Sequence, residues 1–193
     1  EGTGYVQTTT KGGMRWSTAA GYLKGPAREK IDLKLHAMVG AIELEGRRAT
    51  AVRWTDPSGA HKASARHEII LSGGTFNSPQ LLQISGIGPA DLLRKHGIEV
   101  HHALPGVGEN LQDHFGIGAE YRSTVKSTVN DLYNNKLKGG VQLLRRLLFR
   151  TGPFADNGNY SNTFIRSGPG IDRPDMMVTF MAWCTDEQLK PHP

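Results

Sequence analysis

The residues of this sequence best arranged for chemistry lie between His67 and Gly88. The run His67-Glu68-Ile69-Ile70-Leu71-Ser72 ends in Gly73-Gly74. After Thr75-Phe76 come Asn77-Ser78-Pro79, the apolar stretch Gln80 to Ile84, and Ser85-Gly86-Ile87-Gly88. An apolar run without alternation fits a strand buried on both faces of a sheet. Asn77-Ser78-Pro79 supplies a cap and a first-turn proline, so a short helix is expected over 80–84, closed by Gly86-Ile87-Gly88. A strand that ends in two glycines before a helix brings backbone N–H groups to a cleft with no side chains in the way. Such a place suits a phosphate or a flat cofactor. Glycines after strands are also ordinary turns, so this geometry alone leaves ligand contact and turn both open.

No other group of reactive side chains competes with it. His36, His61, His67, His96, His101, His102 and His192 have no metal-ligand spacing, and neighbours such as His101 and His102 point to opposite faces of a strand. Cys184 is the single cysteine, which leaves no intrachain disulfide and no cysteine zinc site. No metal is expected. Ser78 and Ser85 lack a histidine or acid at a meaningful position and read as a helix cap and a turn residue. His114 stands beside Asn110 and Asp113 and is open to two readings, a structural hydrogen bond or a base. Met176, Met177, Phe180, Met181 and Trp183 read as core and only weakly as a pocket wall.

The composition is that of a globular chain rich in turns: 193 residues, 37% hydrophobic, 21% charged, 24 glycines. The net charge of +5 raises nucleic-acid binding, but the densest basic cluster, Arg145-Arg146 with Arg150, sits on the amphipathic stretch Val141–Phe149 and the other Lys and Arg are scattered. No nucleic-acid partner is expected. No apolar run approaches the ~20 residues of a transmembrane segment, and the first residues have neither the basic start nor the apolar core of a signal peptide. The compartment stays open, with the cytoplasm or the periphery of an inner membrane favoured over secretion.

The elements that must position these residues follow from periodicity and turn chemistry. Residues 5–17 read as loop; Ser17 caps a helix over 18–23 that Gly25-Pro26 ends. Alternation from Asp32 to Trp54, a turn at Glu45-Gly46-Arg47 and the tight turn Asp56-Pro57-Ser58-Gly59 predict a meander continuing to Ala65. After the 67–88 segment come a helix over 89–97, a strand over 98–103 and a loop over 104–114. Beyond it a strand over 116–122, a helical stretch over 130–150 broken at Gly139-Gly140, and strands over 160–165 and 175–183 are expected. A boundary near 115 divides the chain.

Gly74 to Gly88, with its Ser-Pro and its Ser-Gly-Ile-Gly, resembles the second signature of the glucose-methanol-choline (GMC) flavoenzymes. Six further segments agree in order. Arg15-Trp16-Ser17 to Tyr22-Leu23 and Ala37-Met38-Val39 are similar to the family's adenine-side segments. Val107-Gly108-Glu109-Asn110-Leu111-Gln112-Asp113-His114 resembles its flavin-side loop. Gly152-Pro153, Phe164-Ile165-Arg166-Ser167 and Arg173-Pro174-Asp175 resemble the start of the substrate domain in the choline dehydrogenase-like branch.

The resemblance implies an α/β plus α+β fold, with residues 1–115 part of an FAD-binding domain and 116–193 the start of an antiparallel-sheet substrate domain. It implies FAD as cofactor, held by Val39, Gly73, Gly74, Ser78, Pro79, Asn110 and His114, with His114 in a flavin-side structural role. The implied reaction is oxidation of a small-molecule alcohol by hydride transfer to the flavin, which requires a base to take the hydroxyl proton. That base and the family's Gly-x-Gly-x-x-Gly turn are expected outside this segment, so no residue here is assigned to catalysis. Tyr160 is a candidate substrate contact through its aromatic face. The choline branch has a carboxylate just before the Phe-Ile-Arg run; Asn159 to Thr163 has none, which favours a primary alcohol or polyol over choline. The alternative is a non-catalytic, truncated flavin-binding or scaffold module. If the resemblance holds, Ile69 to Leu71 is expected to be a poorly covered apolar face that invites self-association.

Overall fold

A computed structural model describes residues 1–125, 128–156 and 158–185. His192 therefore lies outside the described residues. In chain order the elements are β1 (Gly2–Tyr5), β2 (Thr10–Lys11), β3 (Met14–Arg15), α1 (Thr18–Tyr22), β4 (Met38–Glu45), β5 (Arg48–Asp56), β6 (Gly59–Ser64) and α2 (Gly74–Ile84). They continue with β7 (Ile87–Gly88), α3 (Ala90–Lys95), β8 (His102–Ala103), α4 (Val129–Asn134), α5 (Lys136–Phe149), β9 (Asn159–Ile165) and β10 (Met176–Met181). Helices and mostly antiparallel sheets are thus mixed, in keeping with the expected class. The chain forms two compact units: residues 32–116, and residues 1–31 with the chain from Ile117 onward. The sequence-based division into 1–115 and 116–193 groups residues 1–31 differently.

In the 32–116 unit, β4, β5 and β6 form the expected antiparallel meander. Glu45 pairs with Arg48 across a two-residue turn whose first residue, Gly46, has φ +59°, a value that costs glycine little. The second turn is held by the carboxylate of Asp56, whose Oδ1 accepts from the Ser58 backbone N–H at 2.8 Å, from Ser58 Oγ at 2.5 Å and meets His61 Nε2 at 2.9 Å. His61 in turn stacks on Trp54 at 5.4 Å between ring centroids.

These partners, the Ser58 hydroxyl first and then His61, hold the Asp56 carboxyl down at about 2 against an ordinary 3.8. A depressed carboxylate contributes stability that is complete above the unfolded value and is lost as pH falls through the folded one. The β5–β6 turn is therefore expected to hold down to pH 4 and to loosen between about 3.8 and 2. A carboxyl-carbon NMR titration of Asp56 with a midpoint near 4 would contradict this, as would an Asp56→Asn variant that melts with the wild-type pH profile over that window.

Several expectations are corrected. Residues 67–72 form no strand, because no described segment pairs with them, and Ile70 is 77% exposed. Helix α2 begins at Gly74 rather than after an Asn77 cap, and Pro79 lies inside it. Ser78 Oγ accepts the Gly73 N–H at 3.0 Å, so the turn is closed five residues ahead of Ser78, and Pro79 removes only the one bond that the Thr75 carbonyl would have received. The strand expected over 98–103 is reduced to β8, which runs parallel to β7. Residues 116–122 are unpaired, with Phe115 99% exposed.

In the other unit, β1 pairs with β9 and β9 with β10, both antiparallel. Residues 2–5, just ahead of the expected loop, thus supply an edge strand. Ser17 Oγ caps α1 by accepting from Ala20 N–H at 3.2 Å, as expected. The helical stretch breaks at Asn135, which caps α5, and not at Gly139-Gly140. Gly139 is retained inside the helix because a Cβ there would stand 2.5 Å from the Leu132 carbonyl of α4. Helix α5 touches its own unit through Gly139, Gln142 and Arg146 and turns Leu137, Val141, Leu144 and Leu148 outward, with Leu137 79% exposed.

Candidate functional site

Three segments of the 32–116 unit carry seven of the eight residues singled out for binding. The first is the start of β4. Its register jumps from Val39 opposite Trp54 to Ala41 opposite Arg53, so Gly40 is an extra residue in the ladder. A bulge of this kind leaves backbone groups unpaired and re-aims its neighbours. Val39, paired opposite Trp54, stands beside it with its side chain exposed.

The second segment is the N-terminus of α2. Gly74 has φ +84°, and a Cβ on it would meet nothing within 4 Å. At Gly73 a Cβ would press on Asn77 Cβ at 3.2 Å and on Ser78 N and Oγ at 3.4 Å. The first N–H groups of α2 have no partner within the helix, and beside Gly74 no atom stands where a Cβ would lie. Helix N-termini of this length carry partial positive charge suited to an anionic or strongly dipolar group. Ser78 spends its hydroxyl oxygen on Gly73, so it shapes this turn from inside, with Pro79 next to it in the helix.

The third is the loop from Leu104 to His114. Leu104 N–H donates to the Gly88 carbonyl at 2.9 Å, Val107 is buried, and Gln83 Nε2 of α2 donates to the Val107 carbonyl at 3.0 Å. Asn110 has φ +57°, a left-handed conformation that Asn tolerates better than most residues. His114 has an exposed ring, and its backbone N–H donates to Asp113 Oδ1 at 2.7 Å. Gln112, Asp113 and His114 line a shallow concavity of about 250 Å³, below the ~300–1,000 Å³ of a typical small-molecule pocket.

The α2 end is braced against the meander by Ser85, 6% exposed, whose Oγ accepts from Ile42 N–H at 2.9 Å and donates to the Leu81 carbonyl at 2.7 Å. Ile42, Ala51, Leu93 and Val107 form the buried apolar core beneath. Ser85 ties the C-terminal end of α2 to β4 and Gln83 ties it to the 104–114 loop, so the bulged strand, the helix and the loop are fixed to one small scaffold. The side chains that do the fixing, Gln83 and Ser85, are not those singled out for contact. The sequence pointed to Ser85 only as a turn residue, and nothing marked Gln83, whose partner lies 24 residues later in an irregular loop.

The eighth residue, Tyr160, lies half-buried on β9 in the other unit, where its carbonyl accepts from Val6 N–H at 3.1 Å. Among the described residues no group of three or more His, Cys, Asp or Glu could hold a metal ion, and no helix is long and apolar enough to cross a membrane.

Residues 1–116 match the family model described as GMC oxidoreductase. The chain is 41% identical over 185 residues to the mitochondrial choline dehydrogenase of Homo sapiens, covering 94% of this chain and 30% of that protein. It is 40% identical over 184 residues to the oxygen-dependent choline dehydrogenase of Brucella anthropi, covering 94% and 33%. It therefore spans about a third of the length of the curated relatives it matches. Among solved structures, an FAD-dependent oxidoreductase from Chaetomium thermophilum superposes with a TM-score of 0.58 at 29% identity over 67% of this chain and 23% of that one. A formate oxidase gives 0.58 at 26% identity with the same coverage.

Proposed function

Because the chain belongs to the GMC oxidoreductase family and is choline dehydrogenase-like in sequence, we propose that it forms part of an enzyme that oxidises an alcohol, a CH–OH donor, to an aldehyde or ketone with FAD. The structural observation that supports this reading is that one small unit carries main chain bare of Cβ at Gly40 and Gly73-Gly74 together with the Val107–His114 loop clamped to the same helix. These segments suit a large, flat, anionic cofactor: a Cβ on Gly74 or on Gly40 would meet nothing within 4 Å, so main chain at the helix end and at the bulge can be approached closely. Val39, Gly73, Gly74, Asn110 and His114 would touch the flavin nucleotide, and Ser78 and Pro79 would shape the turn beneath it. When bound, FAD supplies the hydride acceptor.

The chain's own residues bind and orient. The α2 N-terminus presents N–H donors without the reorganisation cost that mobile water would carry. The 104–114 loop is pinned through Leu104 and Val107 so that Asn110 and His114 are presented on a fixed stem. His114 is read as a structural contact, and no described residue is assigned as the base that takes the substrate proton. Tyr160 is the proposed substrate contact. With no carboxylate in Asn159–Thr163, a neutral primary alcohol or polyol is the proposed substrate in preference to a quaternary ammonium alcohol.

The test is a titration with FAD, followed by visible absorption, of this chain and of the longest natural polypeptide that contains it. Tight flavin binding by the longer protein, with bleaching of the flavin band on anaerobic addition of a primary alcohol, is the expected result. A longer protein that neither binds nor bleaches flavin would leave the non-catalytic scaffold as the better reading. For the chain on its own we propose self-association through Ile70 and the outward leucines of α5; a hydrodynamic size that stays monomeric as concentration rises would refute it.

A further inference from the structure

Gln83 is the side chain through which α2 grips the 104–114 loop, and its surroundings are built around it. Its Cγ lies 3.0 Å from where a Cβ on Gly88 would be, and its Nε2 lies 2.7 Å from where a Cβ on Gly108 would be. A side chain at either glycine would press on Gln83, so the two glycines flank the path by which its amide reaches the Val107 carbonyl at 3.0 Å. Gly88 is buried and Val107 is 8% exposed, so this bond is sheltered from competing water. Gly108 has φ +88°, which lets the chain turn away immediately after the anchored carbonyl and leads into Asn110.

We propose that Gln83 is a positioning residue for the flavin nucleotide: it holds the Val107–His114 loop to the C-terminal end of α2, so that Asn110 and His114 keep a fixed distance from Gly73 and Gly74 at the other end of the same helix. The inference rests on the flavin reading above. It follows from the proposed contact residues lying on separate segments, since a ligand that spans the helix end and the loop binds well only if their spacing is held before it arrives. One helix carries the glycine end at Gly73-Gly74 and the clamp at Gln83, nine residues further along α2 from Gly74. The loop therefore takes its position from the same rigid body that presents the N–H donors.

The variant is Gln83→Met in the longest natural polypeptide, which keeps the length and bulk of the side chain and removes the donor. Ser85→Ala is the control, because it weakens the same end of α2 by breaking the bond to Ile42 and leaves the loop contact intact. Amide hydrogen exchange on the flavin-free protein reads the loop directly, and FAD titration reads the consequence. Loss of one sheltered hydrogen bond is expected to speed exchange of the 107–114 amides about fivefold to tenfold and to weaken FAD binding by a similar factor. Ser85→Ala should lower the melting temperature and leave exchange of the 107–114 amides at the wild-type rate. The proposal is overturned if Gln83→Met leaves loop exchange and FAD affinity at wild-type values, or if Ser85→Ala speeds loop exchange by the same factor as Gln83→Met, since loop order would then track helix stability in general. A wild-type protein that binds no FAD defeats the flavin reading itself, and that outcome is seen before any variant is compared.

Discussion

Gly86→Ala is expected to destabilise the 32–116 unit by about 4 kcal/mol, enough to lower its melting temperature by roughly 15–30 °C. Two separate costs combine. Gly86 has φ +83°, where an alanine is strained by about 1 kcal/mol or more. Its Cβ would also stand 2.5 Å from the Glu99 carbonyl oxygen and 2.6 Å from His101 Cδ2. The carbonyl is backbone and cannot swing aside. Moving it would pull on the bonds by which His101 and His102 N–H both donate to the Gly86 carbonyl, at 2.9 and 3.0 Å, and those bonds start the β7–β8 pairing. Gly97 separates the two costs. It has φ +68° with nothing within 4 Å of its Cβ position, so Gly97→Ala should lose only the conformational part, about 1 kcal/mol. Thermal denaturation of the pair is the measurement. Equal losses would mean that the close approach of Glu99 to Gly86 does not exist in solution.

That pair shows how much of the fold a sequence reveals. Gly86 was visible as part of Ser-Gly-Ile-Gly and Gly97 as a helix stop, and both readings hold. What separates them is the neighbour 13 residues away at Glu99, which no local pattern announces. Elements decided by local chemistry were legible: the Ser17 cap, the meander turned at Gly46 and at Asp56–Gly59, the helix ending at Gly97, and the strands now seen as β9 and β10. Elements that depend on a distant partner were not. The apolar run 67–72 has the composition of a buried strand, yet pairing is a property of two segments and the second is not among those described. The short N-terminal strand β1 was missed for the converse reason, because its partner β9 lies more than 150 residues on and its own residues, Gly-Thr-Gly-Tyr, look like loop. In α5 the local weakness of Gly139-Gly140 was outweighed by packing against Leu132. The site followed the same rule. Candidate contact residues came from a short motif and its resemblance, whereas the Gln83–Val107 bond had no such signal, since an amide on a helix carries no periodicity of its own.

Gly13→Ala offers the second large effect, with its control one residue away. Gly12 and Gly13 are indistinguishable in sequence and both turn the chain between β2 and β3 with positive φ, +57° and +67°. A Cβ on Gly12 would meet nothing within 4 Å, whereas one on Gly13 would fall onto the carbonyl of Arg150, with the Arg150 carbonyl carbon and Cβ at 2.9 Å. Arg150 caps the end of α5 in a left-handed conformation, φ 55°, and its N–H closes that helix on the Arg146 carbonyl at 3.0 Å. It has no slack in which to retreat. Gly12→Ala is therefore expected to cost about 1 kcal/mol and Gly13→Ala about 4 kcal/mol or more, the difference being the steric term alone because the backbone strain nearly cancels between neighbours. The loss should fall on the unit that contains β1, α5 and β9. Amide exchange would then rise at the α5 C-terminus around Arg146 to Arg150, while the 32–116 meander keeps its protection. Exchange rising in both units together would indicate one cooperative body, and a Gly13→Ala variant as stable as Gly12→Ala would place the β2–β3 turn away from the end of α5.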